Sequence, residues 1–175
     1  YLSANSEWNG STGGTVPIDS KVYENGDTVT VIDNTGLLIK TGYNFAGWNT
    51  QADGKGTHYE PGGTFLIGNK SLILYAEWIE YFTVTYNGNG NISGTVPVDN
   101  NKYESGKSVT VLNNTGALRK GEYVFLGWNT EASGSGTQYV PGTTFIIGNQ
   151  NVILYAQWRF EQLIIWGIMS ATILN

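Results

Sequence analysis

The chain has 175 residues, 40% hydrophobic and only 13% charged, which allows one ordinary domain or two small ones and excludes a disordered polyelectrolyte. A net charge of −5, with nine Lys and Arg scattered singly, argues against a nucleic-acid partner or an anionic membrane surface. Cysteine is absent, so disulfides, thiolate metal sites and Cys nucleophiles are excluded.

The chain opens on "YLSANSEWNG", a weakened strand whose alternating positions Leu2, Ala4 and Ser6 are small or polar and which Asn5 interrupts. "GGTVPIDSKVYENGDTVTV" from Gly13, "GYNFAGWNT" from Gly42 and "TFLIGNKSLILYAEW" ending at Trp78 follow. The series then restarts, gapless, at an offset of 80 residues, with "SGTVPVDNNKYESGKSVTV" from Ser93, "EYVFLGWNT" from Glu122 and "TFIIGNQNVILYAQW" ending at Trp158. In this second unit Phe82, Val84 and Tyr86 alternate with Thr83 and Thr85, which predicts a strand. The Asn87-Gly88 and Asn89-Gly90 pairs then supply positive φ for a tight turn. Further strands are expected at "KSVTVL" from Lys107, "YVFLGW" from Tyr123 and "NVILYAQW" from Asn151. "NNTGALRKG" has room for one helical turn, "NTEASGSGTQYVPG" reads as a long turn, and no stretch carries a long amphipathic helix.

The "F.GW" and "LYA.W" pair at this separation, with the opening "YFTVTYNGNG", resembles the Listeria–Bacteroides repeat, also called the internalin B repeat, in two tandem copies. The resemblance implies a small β-grasp module, similar in topology to ubiquitin, found in tandem on bacterial and archaeal surface proteins. It also implies a spacer, adhesion or assembly role without catalysis. The expected fold is therefore mostly β (α+β at most): residues 1–78 form a first module, 79–158 a second, and 159–175 an apolar C-terminal strand or tail.

The second copy serves as an internal control on any chemistry in the first. His58 lies near Asp53 and Glu60 in sequence, but the counterparts are Gln138, Ser133 and Val140, so a solvated loop is the expected reading over a His–carboxylate site. One His and no Cys leave few ligands for a transition metal, and no calcium-loop spacing occurs. "ADGKG" and "YNGNG" lack the Lys-Ser/Thr and the following helix of a phosphate loop. No catalytic, cofactor or metal residue is therefore assigned, and the protein is not expected to be an enzyme. Trp48/Trp128 and Trp78/Trp158, with Phe45/Phe125 and Tyr75/Tyr155, fit a core better than a sugar-stacking platform. Lys40/Lys120, Glu24/Glu104 and several Asn supply the residue types of an intramolecular Lys–Asn isopeptide bond. Asn9, Asn69, Asn91 and Asn113 begin N-x-Ser/Thr sequons, which permit glycosylation without indicating it.

The tail "EQLIIWGIMSATILN" becomes legible in the same register, where Ile164 falls on Val84 and Trp166 on Tyr86. Its apolar run is about half the roughly 20 residues of a membrane-spanning helix, so no span is expected. It reads instead as the first strand of a third repeat, donated by Leu163, Ile164, Ile165, Trp166, Ile168 and Ile173 to the Leu2, Ala4 and Ser6 region of a neighbouring copy. A tail folded back on its own unit, or a cleaved remnant, is the alternative. The start at Tyr1 is read as a mature secreted chain. Together these readings predict an extracellular, cell-surface structural protein, a homopolymer joined head to tail into a filament or sheath. The alternative is a stalk or adhesin fragment of a larger surface protein that binds a host or matrix ligand.

Overall fold

The computed structural model describes residues 2–161, and within them the chain is all β, with no helix. It divides into two compact units, one ending at Phe82 and the other beginning at Thr83.

In the first unit, β1 (Ala4–Glu7), β6 (Leu72–Glu80), β3 (Tyr43–Asn49) and β4 (His58–Tyr59) form a four-stranded sheet in the order β1-β6-β3-β4. β2 (Thr28–Thr30) pairs with β5 (Thr64–Leu66) in a separate two-stranded ribbon. The second unit repeats this arrangement. Its sheet runs β7 (Val84–Asn87), β12 (Val152–Phe160), β9 (Tyr123–Asn129), β10 (Gln138–Tyr139), and its ribbon joins β8 (Ser108–Thr110) to β11 (Thr144–Ile146).

The first strand of each unit runs parallel to the last. Ala4 through Glu7 pair with Leu72 through Tyr75, and Val84 through Asn87 pair with Val152 through Tyr155. The other pairings are antiparallel. Alternation works as the sequence predicts: Val84 and Tyr86 are buried and Thr85 is exposed. Despite Asn5, β1 forms and holds the place beside β6; what is weak is its side-chain face, not its ladder. The segment with room for a helical turn is instead a clipped loop. Asn114 Nδ2 donates to the Leu118 carbonyl (3.2 Å) and its Oδ1 accepts the Leu118 N–H (2.7 Å), as Asn34 does with Leu38. The long turn "NTEASGSGTQYVPG" is interrupted by β10, two residues that return to pair with Trp128 and Asn129.

A bulge in the central strand decides where the aromatics go. Residues three apart on a regular strand point to opposite faces, but the register slips between Phe45 and Gly47, as it does between Gln157 and Trp158 in the other unit. The extra residue turns Phe45 and Trp48 to the same side, where their rings meet edge to face at 5.3 Å. Gly47 makes the bulge possible. Its φ is 124°, and a Cβ there would lie 2.8 Å from the Tyr59 carbonyl oxygen. Gly127 repeats the geometry at φ 126°.

Each core is built around one tryptophan. Trp48, 1% exposed, packs with Val31, Leu38, Leu74 and Ala76, while Ala4, Tyr23, Val29 and Ile67 form a second cluster. In the second unit Trp128 is fully buried, and Val84, Tyr86, Val109, Val111, Leu118, Ile147, Leu154 and Ala156 are buried with it.

Candidate functional site

The recurring tryptophans are structural. The indole N–H of Trp48 donates to the Ile32 carbonyl and that of Trp128 to the Leu112 carbonyl, both at 2.9 Å. Trp78 and Trp158 donate to the carbonyls of Asn9 (3.0 Å) and Gly88 (3.1 Å) and stand edge to face against Phe45 and Phe125 at 5.7 Å. A buried indole must place its N–H on an acceptor. Here the acceptors are main-chain carbonyls, and Trp48 and Trp128 are buried in the two cores.

The recurring asparagines are structural too. Asn9 and Asn89 sit at φ 43° and 49°, a region in which Asn is far commoner than most side chains. Asn89 Nδ2 donates to the carbonyls of Ala132 (2.8 Å) and Ala156 (2.9 Å), tying the turn after β7 to β12 and to the loop after β9; Asn9 does the same with Ala52 and Ala76. Asn49 and Asn129 are almost fully buried. Asn129 donates to the carbonyls of Gly134 and Gly136 and accepts the Glu131 N–H.

These bonds bear on the four sequons. The Asn9 amide nitrogen already donates twice, and that of Asn91 donates to the Ser93 carbonyl, whereas Asn69 and Asn113 are exposed.

One polar concavity is notable in the first unit, a cleft of about 360 Å³ lined by Asn9, Lys40, Asn49, Asp53, Glu77 and Trp78 among others. Two of its donors engage groups of their own unit. Asn49 Nδ2 reaches the Gly54 carbonyl and Glu77, and Lys40 Nζ rests 4.3 Å from the centre of the Tyr43 ring. The copy of that lysine, Lys120, donates to the Asn89 main-chain carbonyl at 3.1 Å rather than facing a side-chain amide.

His58 is where the two units differ in chemistry. Its Nδ1 lies 2.7 Å from Glu77 and its Nε2 3.1 Å from Glu60, while Asp53 pairs instead with Lys55 at 3.5 Å. Hydrogen bonds donated by the imidazolium to Glu77 first and Glu60 second raise the His58 pKa above its ordinary value, against the opposing effect of partial burial. Both ring nitrogens are therefore occupied by carboxylates. Glu77 escaped the sequence reading because it is 19 residues away and joins His58 only through the β4–β3–β6 pairing; its counterpart Gln157 was the available signal. Among the described residues, no group of three His, Asp or Glu is placed to hold a metal ion, and no helix is long and apolar enough to cross a membrane.

Two copies of one β scaffold, each built around a buried tryptophan, define a tandem-repeat protein. The chain belongs to the Listeria–Bacteroides repeat family, whose model matches residues 8–77 and 82–157. It is similar to a protein of Evansella cellulosilytica provisionally named a Gly-rich membrane protein, at 42% identity over 154 residues, 85% of this chain. A second protein of that organism, provisionally named a membrane protein, is 38% identical over 120 residues, 68% of this chain. The chain spans 17% of the length of each.

The tail residues Leu163, Ile164, Ile165, Trp166, Ile168 and Ile173 lie outside the described residues. Of their expected acceptors, Ala4 is buried, Leu2 and Ser6 are half-buried, and all three belong to a segment already paired within its own unit.

Proposed function

We propose that the chain is a non-catalytic structural segment of an extracellular, cell-surface protein, in which two β-modules space and display whatever the rest of the protein carries. The observation that carries this reading is the fate of the repeated residues. The side chains of Trp48/Trp128, Trp78/Trp158 and Asn9/Asn89, common to both copies, donate to main-chain carbonyls of their own module. The His58–Glu60–Glu77 cluster occurs in a single copy, and both ring nitrogens of His58 face its carboxylates. The much greater length of the two relatives fits a spacer, since a module of this kind gains reach by repetition. A screen of the purified chain against polysaccharides and matrix proteins tests the reading. A spacer gives no saturable binding; a saturable ligand lost on Glu77→Gln, which alters the polar cleft, overturns it.

A second reading makes the chain a subunit of a surface filament or sheath, joined head to tail through the Leu163–Ile173 strip. The small Ser6, where the second unit carries the ring of Tyr86, favours it.

A further inference from the structure

The two units differ in their first strand in a way that leaves one of them incomplete. In the second, Tyr86 is buried, its ring edge to face with Trp128 at 4.7 Å, and its hydroxyl oxygen accepts the Leu112 N–H at 2.8 Å. In the first, Ser6 stands at this position and makes no such bond to Ile32, the counterpart of Leu112. The space beside it, lined by Ala4, Ser6, Val29, Val31, Trp48 and Leu74, is about 10 Å³, room for about one water. Tyr23 is buried in the cluster with Ala4, Val29 and Ile67, whereas its counterpart Tyr103 is only half-buried. Two residues earlier the same trade recurs, Ala4 for Val84. β1 thus keeps a full parallel ladder to β6 while offering the core little.

We propose that β1 is a replaceable strand, and that residues Ile164 to Trp166 of a second copy of this chain displace it from β6, with Trp166 entering the place that Tyr86 occupies in the second unit. This deepens the head-to-tail reading above and rests on it. Two observations select displacement and this occupant. β6 is paired with β3 on one side and with β1 on the other, so a further strand cannot pair with it while β1 stays. The 80-residue register sets Ile164 and Trp166, large residues two apart, on Val84 and Tyr86. The link also has the right direction. The residues between Glu80 and Val84 carry the chain from β6 of one unit to β7, which pairs with β12 of the next. The same number of residues separates Phe160 from Ile164 in the sequence. The outer edge of the exchanged strand stays unpaired, as that of β1 is now, so the joint adds no new sheet edge.

The test is sedentation-equilibrium measurement of the full chain over a thousandfold concentration range, beside three variants. Ser6→Tyr gives β1 its own ring, and the expected result is a folded chain whose self-association is at least tenfold weaker. Trp166→Asp is expected to do the same by placing a charge in an apolar slot. In Ile73→Cys/Ile165→Cys, residue 165 replaces Asn5 opposite residue 73, so oxidation is expected to link separate chains. Self-association unchanged by Ser6→Tyr or Trp166→Asp overturns the exchange. So does a wild-type chain that stays monomeric throughout, or a disulfide formed within one chain. A monomer leaves the spacer reading standing, because that reading is tested separately by ligand screening.

Discussion

Tyr86→Ser converts the second copy into a likeness of the first, and its effect can be worked out term by term. The substitution removes an aromatic ring that is 7% exposed, worth about 1.5–3 kcal/mol of apolar burial. It removes an edge-to-face contact with Trp128, worth about 0.5–1.5 kcal/mol. It also removes the acceptor of the Leu112 N–H, worth about 0.5–1.5 kcal/mol. These terms overlap, and truncating a buried aromatic to Ala costs about 3–5 kcal/mol in all. The first unit indicates the direction of relief, since there Tyr23 is more deeply buried and the residual space is small. We therefore expect a loss at the lower end, about 3 kcal/mol, confined to the second unit. Amide hydrogen exchange separates the units: the Val111 N–H, bonded to the Thr143 carbonyl, should lose protection by about two orders of magnitude. The equivalent Val31 N–H, bonded to Gly63, should not change. A loss below about 1 kcal/mol, or equal loss at Val31, would refute the assignment of Tyr86 as the residue that completes the core.

Three other outcomes are expected. Asn89→Ala removes both donors to Ala132 and Ala156 and puts Ala at φ 49°, so denaturant titration should show a loss of about 2–3 kcal/mol, with Asn89→Asp recovering little because it cannot donate. Gly127→Ala places a Cβ 2.6 Å from the Tyr139 carbonyl oxygen at φ 126°; it should unfold the second unit's sheet at β10 first, seen as early exchange of the Thr130 N–H. His58→Gln tests the ion-pair cluster through pH. The folded-state pKa of His58 is raised, so its contribution is fully present below the unfolded value of about 6.5 and is lost as pH rises through the higher folded value. The stability gap between wild type and His58→Gln should therefore be larger at about pH 6 than at about pH 9. It should also be small, since exposed pairs contribute roughly 0–1 kcal/mol. A gap that grows with pH contradicts the pairing.

Much was legible in the residues because the fold is written twice. The 80-residue offset exposed the repeat, the period-2 alternation of Phe82, Val84 and Tyr86 set the inward face of β7, and Asn-Gly pairs marked its turn. The same comparison showed that the first unit lacks large side chains in its opening strand. These features depend on neighbours in sequence or on the register between copies, so a linear reading can reach them.

Other features exist only once distant segments meet. Whether Asn5 breaks β1 was settled by the parallel ladder to Leu72–Tyr75, whose hydrogen bonds are indifferent to side-chain size. Phe45 and Trp48 share a face only because Gly47 bulges against the Tyr59 carbonyl. His58 was matched in sequence with Asp53 and Glu60, but a three-strand pairing brought Glu77 to it and left Asp53 to Lys55. Sequence by itself determined the repeat, the β character and the deficit at Ser6, because periodicity and composition are local. Tertiary structure decided which strand fills each edge and which polar groups are already taken, because those are pairings between residues some 70 positions apart.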